Sequence, residues 1–431
     1  MQCPICRTVE PKWKNVDNFR LKPEGMCLCE ICGFITYPDK KQKDLDQFYK
    51  KEYRTIPNVS IFFTGERKLQ YHAHFLKETI DKWKANNRKG LVITDVGSAA
   101  GMFLDYLNKQ GLDISDIHGV ELTETYVRQA WWFFGIKSIP KFDDTKRYDL
   151  ISSYKSLEHI LDPDIELTKY VASLKDDGYL YFSVPLWFEA MTNFGGAGFD
   201  LEYYYSPNHC NTWTRKHVEG LIKIAGGRIV KENRTYYDTT YLIQKDTAIT
   251  DRSCAFEDPK LILEHLEKTF AASEALQRGA YNEAIGIWPN CPIAWVTHYE
   301  MNRKALHDQG FEFIYNEICV KALDACKEDA NLHYFAGDIC YRYEQYEKAL
   351  DHLNKANSLR PNMPQVFAMV HNCYLALSKL AKGQETKVKF LEQARKAAKV
   401  LGDVSMQNKN ESINYVMHAN AHIPTPFEVA L

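Results

Sequence analysis

No stretch of the 431 residues holds 18 consecutive apolar side chains, so no helix that crosses a membrane is expected. A dominant charge is missing too. Lys and Arg number 54 against 56 Asp and Glu, leaving −2, so no global basic field recruits nucleic acid. The opening residues Met1–Arg7 lack the apolar run of a secretory signal, and the expected location is cytoplasmic. In a reducing compartment the twelve cysteines read as metal ligands or buried thiols rather than disulfides. What is present is the 45% apolar and 26% charged mixture of a globular protein, at a length that asks for two or three domains.

Another absence bears on the stretch Leu91–Leu107, LVITDVGSAAGMFLDYL. An apolar strand leads into Asp95, a glycine turn and a helical run, but the spacing is Asp-x-Gly-x-x-x-Gly, not the G-x-G-x-x-G of dinucleotide enzymes. Glycines at such a turn let the backbone approach a ligand and take up positive φ. A second apolar run, Ile117–Val120, ends on Glu121, about 20 residues after Gly101, where an acid can hold both hydroxyls of a ribose. Strand, glycine turn, helix, strand and acid together resemble the cofactor site of class I S-adenosylmethionine-dependent methyltransferases. The resemblance implies that Asp95, Gly97, Ser98 and Gly101 surround the methionine part of the cofactor and that Glu121 grips its ribose. The plainer reading is an α/β turn without a cofactor.

Residues 1–38 hold Cys3-x-x-Cys6 and Cys29-x-x-Cys32, two pairs about 22 residues apart, which is the spacing of a four-cysteine zinc ribbon. Cys27 can replace Cys29 in that register. Four thiolates leave no open position, so the expected zinc is structural; reduced cysteines without metal are the alternative. Residues 44–53 read as a helix, and a longer amphipathic helix over 66–86 is expected to cover the cofactor pocket. His72 and His74 lie on different faces of it and read as surface or rim residues.

Strands are expected at 91–95, 117–121, 136–139, 148–153, 178–184, 227–234 and 240–244. With helices between them, these give an α/β, doubly wound seven-stranded Rossmann-like sheet that ends in a hairpin. The block from Leu157-Glu158-His159 through Asp162-Pro163 and Gly178 to Val184-Pro185 resembles a methyltransferase subgroup acting on sugars and other small molecules. Some of its members carry an N-terminal zinc module with this cysteine spacing, and the likeness spans about residues 1–246.

His159 follows the fourth strand at the carboxyl edge and can take a proton near neutral pH, with Glu158 to orient it. The competing reading makes both residues local helix caps. Tyr154 and Ser156 are candidate substrate contacts. Residues 185–214 are rich in aromatics and glycine and read as a substrate loop, with Tyr204 and Asn208 among its contacts and His209 as a second candidate base; the alternative is a packing surface.

From about 261 onward strands give way to helix formers. Gly279-x-Tyr281-x-x-Ala284 returns as Glu344-x-Tyr346-x-x-Ala349, which resembles tetratricopeptide repeats. The expected division is 1–40 zinc ribbon, 41–246 methyltransferase domain, 247–261 linker, 262–402 helical repeats and 403–431 tail. Such repeats bind a protein partner or a second copy of the chain.

The expected function is methyl transfer from S-adenosylmethionine to a sugar, with His159 removing the proton. Another small metabolite as acceptor is one alternative, and a repeat-based adaptor with an inactive methyltransferase scaffold is another. A nucleic acid acceptor is disfavoured, for the chain has neither a basic run nor an Asn/Asp-Pro-Pro-Tyr/Phe motif.

Overall fold

The structure is a computed structural model that describes residues 2–16, 25–51, 72, 75–186, 209–234, 238–248, 256–326, 329–359 and 363–407. These fall into two units, one of residues up to Leu266 and one from Glu267 on.

The first unit is built on a seven-stranded sheet. Its strands are β4 (Leu91–Val96), β5 (Ile114–Val120), β6 (Lys137–Ile139), β7 (Tyr148–Tyr154), β8 (Leu174–Pro185), β9 (Gly227–Arg234) and β10 (Asp238–Lys245). They lie in the order β6-β5-β4-β7-β8-β10-β9. The pairs from β6 to β8 are parallel, and β10 runs antiparallel to both β8 and β9. This is the Rossmann-like arrangement expected, closing hairpin included.

Side chains alternate across each strand and so supply two cores. Leu180 and Phe182 of β8 face one way, beside Ile151, Tyr241 and Ile243, and pack on α5 (Pro163–Ala172) and the helix Arg215–Ile224. Tyr179 and Tyr181 face the other way, with Ile93, Leu150 and Leu242. They meet α3 (Met102–Asn108) and the helix over 75–85, which contributes Phe75, Leu76, Ile80 and Trp83. Over 75–85 that helix covers a sheet face; the part expected over 66–74 lies, apart from His72, outside the described residues.

Several sequence-derived boundaries move, with β5 beginning at Ile114 rather than 117 and β10 at Asp238 rather than 240. β8 begins at Leu174 rather than 178, absorbing Asp176-Asp177-Gly178 across a register shift against β7. Its extra residues leave α5 to end at Ala172.

Ahead of the sheet, β1 (Trp13–Asn15), β2 (Cys27–Cys29) and β3 (Ile35–Thr36) form a three-stranded antiparallel ribbon. The ribbon shares a core with the large sheet: Cys3, Ile5, Phe34 and Trp213 belong to one buried cluster with Val218, Leu221 and Leu180.

The second unit is helical. Ala330–Arg342 packs on Tyr346–Leu359, and Pro364–Leu380 packs on Gln384–Gln407. Gly337 allows the first pair to close up, since a Cβ there would stand 3.0 Å from Leu353 Cγ. Ala349 and Ala356, two of the small positions of the repeat pattern, are fully buried. Among the described residues, no helix is long and apolar enough to cross a membrane.

Candidate active site

Parallel pairing aligns the carboxyl ends of β4, β5 and β7. Asp95 stands opposite Gly119 on one side and Ser152 on the other. Its carboxylate accepts a hydrogen bond from Ser152 Oγ at 2.6 Å and is buried. Burial pushes its pKa up to about 7; the nearby charge of Glu121 adds to the rise, and the Ser152 bond opposes it.

The turn after β4 is left-handed at Gly97 (φ 75°), Ala99 (φ 45°) and Gly101 (φ 78°). Gly97 is required twice over. Besides its φ, a Cβ there would lie 2.1 Å from Ser156 Oγ. Glu121 at the tip of β5 folds back on this turn: Oε2 accepts from Ala99 N at 2.9 Å and Oε1 from Thr123 N at 2.7 Å. The Ser98 hydroxyl is buried against Gly119, where a Cβ would come within 2.2 Å, and it has no hydrogen-bond partner among the described residues. The result is two carboxylates, a waiting hydroxyl and a side-chain-free backbone on one edge. Their charge suits a cationic ligand, and S-adenosylmethionine, with its sulfonium and ammonium groups, fits that donor set.

The second half of the edge follows β7. Lys155 takes a left-handed turn (φ 54°) into the single 3-10 turn Leu157–His159. Glu158 is fully buried, and the His159 and His209 rings meet edge to face, 5.0 Å between centroids. One donor atom from each of Glu158, His159 and His209 lies within 4.8 Å of the other two. The segment 209–212 is fastened to the turn. Cys210 N and Asn211 N donate to Glu158 O at 2.7 and 3.3 Å, and the Asn211 amide donates to the carbonyls of Leu157 and Ile160.

Several expected roles change here. Burial, then the charges of His159 and Lys155, push His209 down to about 3, so it is a poor proton acceptor at neutral pH. Asn211, within the stretch 185–214 expected to be a substrate loop, is instead a buried clamp. Ser156 turns its hydroxyl to Val96 O at 3.0 Å, so it braces the glycine turn rather than facing an acceptor. Tyr154 stays at the edge, its ring 4.3 Å from that of His72. His72 is buried rather than a surface residue and bonds Tyr181 through Nδ1. Tyr204 and Asn208 lie outside the described residues.

The ribbon brings Cys3, Cys6, Cys29 and Cys32 together. Cys3 and Cys32 Sγ stand 3.6 Å apart and Cys6 and Cys29 Sγ 3.8 Å. A tetrahedron with zinc–sulfur bonds of about 2.3 Å has edges of roughly 3.8 Å, so the four thiols fit zinc. Cys27 turns to Gly25 O at 3.7 Å and stands outside the cluster. The ribbon is tied to the Glu158–His159–His209 half of the edge by several contacts. Thr212 N donates to Ile35 O (3.0 Å), Thr36 Oγ1 to Asn211 Oδ1 (3.1 Å), and His217 Nε2 to Cys32 O (2.7 Å), while Phe34 packs on Trp213.

Sequence reasoning missed Tyr49, on α1 (Gln42–Lys51). Its hydroxyl meets His159 Nδ1 at 2.8 Å, and its carbonyl accepts from Thr123 Oγ1 at 3.2 Å, so α1 links the two halves of the edge. Nothing in the local pattern of that helix marks Tyr49. Gly119 and Ser152 stand opposite Asp95 by strand register, and in strands that also carry Asp116, His118, Asp149 and Ser153 nothing local marks them.

Residues 67–232 match the family model described as a methyltransferase domain. No curated protein matches the chain. Solved structures similar to it include an S-adenosylmethionine-dependent methyltransferase from Clostridium acetobutylicum, at 13% identity and TM-score 0.32, covering 47% of this chain and 98% of that one. Magnesium protoporphyrin IX methyltransferase from Synechocystis, solved with S-adenosylhomocysteine, aligns at 11% identity and TM-score 0.34, covering 48% and 100%. A Mesorhizobium loti S-adenosylmethionine-dependent methyltransferase aligns at 14% and 0.31, covering 36% and 92%. The stretch that matches the family model contains Asp95, Gly97, Glu121, His159 and His209.

Proposed function

We propose that the protein is an S-adenosylmethionine-dependent methyltransferase whose acceptor is a hydroxyl-bearing small molecule, a sugar in first place. One observation carries the reading. A single sheet edge joins a cation-favouring pocket, made by Asp95, Glu121 and the Gly97–Gly101 turn, to the Glu158–His159–His209 corner. When bound, the cofactor supplies an electrophilic methyl group on sulfur.

The chain's own residues do the rest. Asp95 and Ser98 face the methionine part, and the glycine turn lets backbone amides approach. Glu121 keeps a lone pair on each oxygen for the ribose hydroxyls beyond the two amides it accepts. The corner after β7 seats the acceptor. His159 receives the acceptor's proton on Nε2 while Tyr49 holds Nδ1.

The ribbon's zinc is structural in this reading and keeps 209–213 against the corner. The helical second unit, read as tetratricopeptide-like repeats, recruits a protein partner or a second copy. The sugar preference rests on the likeness of the Leu157–His159 block to sugar-modifying methyltransferases.

His159→Ala tests the assignment. Calorimetry with S-adenosylhomocysteine should give an unchanged affinity, while turnover on the best member of a nucleotide-sugar panel should fall by about 10²–10⁴-fold. Full turnover in that variant sinks the role of His159. Failure of the unaltered chain to bind S-adenosylhomocysteine would favour the inactive-scaffold alternative.

A further inference from the structure

Among the described residues, metal-type donors gather in two places: the four ribbon cysteines, and Glu158 with His159 and His209. We propose that the second cluster holds a divalent first-row transition-metal ion at the acceptor end of the site, its open coordination positions taking two neighbouring oxygens of the acceptor. The proposal rests on the reading above that this corner receives the acceptor, and it names how the acceptor is held.

The geometry is close to what an ion needs. Ligands about 2.0–2.2 Å from one ion stand roughly 3–4.4 Å apart. Here the three donors fall within 4.8 Å of one another, so small side-chain rotations bring them onto one centre. The donor set chooses the ion class. Two imidazoles and a carboxylate, without a thiolate, suit manganese, iron, cobalt or zinc, and three protein ligands leave positions open for substrate.

The donors are also held in place. Glu158 is fully buried and His209 nearly so. The Cys210 and Asn211 amides on Glu158 O fix the spacing between the turn and His209 through the backbone. Tyr49 on His159 Nδ1 is the outer partner that a ligating imidazole usually has, and it directs Nε2 to the ion.

A dication beside one carboxylate leaves a local positive charge. That charge draws electron-rich oxygens and makes a coordinated hydroxyl more acidic. In the loaded protein, then, His159 is a ligand and the ion lowers the acceptor's pKa, its proton passing to water. In the metal-free protein His159 takes that proton itself.

The test is a cobalt(II) titration of the full-length, zinc-loaded chain with S-adenosylhomocysteine present. One equivalent should bind with the weak visible bands of nitrogen and oxygen ligation. It should lack the intense near-ultraviolet thiolate bands that cobalt in the ribbon would give. Glu158→Gln and His209→Asn should each weaken cobalt binding by at least about tenfold. S-adenosylhomocysteine affinity should stay within about twofold in both, showing that the variants fold. No cobalt uptake, thiolate bands only, or equal cobalt affinity in wild type and both variants overturns the metal site. If S-adenosylhomocysteine binds and cobalt does not, the metal falls and the methyltransferase reading stands. If S-adenosylhomocysteine itself fails to bind the unaltered chain, the methyltransferase reading falls with it.

Discussion

The proposed cofactor end of the sheet edge, at Asp95 and Glu121, and the proposed acceptor end, at Glu158, His159 and His209, are built by different means. The proposed cofactor end is largely local: Asp95 lies near the end of β4, Gly97, Ser98, Ala99 and Gly101 form the turn after it, and Glu121 closes it from the tip of the next strand. The acceptor end is assembled from far apart. Tyr49 comes from α1, Glu158 and His159 from the turn after β7, and His209 and Asn211 from beyond β8, while Thr36 of the ribbon braces Asn211. A locally coded site depends on backbone conformation. An assembled one depends on whatever holds its distant pieces together: here the bonds from 210–211 to the 157–160 turn, with the ribbon bracing 211–212 from behind. Each of the following changes should damage one end and spare the other.

The largest effect is expected at the cofactor end. Gly97→Val places a branched side chain where a Cβ already meets Ser156 Oγ at 2.1 Å, on a backbone with φ 75°. Strain of this kind costs about 1–3 kcal/mol, and the turn must move away from the ligand. S-adenosylhomocysteine affinity should fall by roughly 100-fold or more in calorimetry, about 2.7 kcal/mol or more. Near-native affinity would mean that the glycine turn is not where the cofactor lies.

The converse change is Cys32→Ser. On the proposal that the ribbon holds zinc, loss of one thiolate should release it and with it the Cys32 carbonyl that His217 binds and the brace from Thr36 to Asn211. Turnover should drop by about 10–100-fold, as when an outer support of a site is lost. Cofactor affinity should change less than about threefold, since among the described residues no hydrogen bond or ion pair joins Asp95, Gly97, Ser98, Gly101 or Glu121 to the ribbon. Equal loss at both ends would make the ribbon a general stabiliser rather than the support of one end.

This contrast also explains what the sequence made legible. The seven strands, the glycine turn and the four cysteines could be read because each is a short-range pattern: an apolar run, a spacing, a pair of pairs. The C-x-x-C spacing points to Cys29 and leaves Cys27 as an alternative, and the fold of β2 separates them. His159 was visible through its place after a strand. Its company was not, for Tyr49 lies 110 residues before it and looks like any helical tyrosine. His72 was misread because its burial depends on Tyr181, 109 residues away. The Asn211 amide, apt for a sugar by composition, is used up on the carbonyls of Leu157 and Ile160.

A pH dependence should separate the ends with a smaller effect. Asp95, at about 7, is half protonated near neutrality in the ligand-free protein. A cationic ligand favours its ionised form, so affinity for S-adenosylmethionine should rise by about tenfold between pH 6 and 8 and then level off, with proton release on binding. Calorimetry in buffers of different ionisation enthalpy reads that proton. The sign for folding is opposite. The folded chain binds this proton more tightly than the unfolded one, so Asp95 lowers ligand-free stability as pH climbs from about 4 through 7. Asp95→Asn should abolish the pH slope of cofactor binding and leave the acceptor corner intact. A slope that persists in this variant would move the titration elsewhere.

The smallest expected change is the one that touches the link between the ends. Tyr49→Phe keeps the ring against His159, 5.6 Å between centroids, and removes only the hydroxyl on Nδ1. A hydrogen bond of this kind contributes about 0.5–1.5 kcal/mol, so turnover should fall by about 2- to 12-fold. Cofactor affinity should not move, because Thr123 bonds the Tyr49 carbonyl, which the substitution keeps. The informative readout is the pH profile of turnover rather than its height. If Tyr49 fixes the tautomer of His159, the acidic limb should shift in Tyr49→Phe, and it should shift less in the cobalt-loaded protein, where an ion on Nε2 fixes the tautomer instead. A fall in turnover with no shift of that limb would make Tyr49 a packing residue and leave α1 as a cover over the edge rather than part of its chemistry.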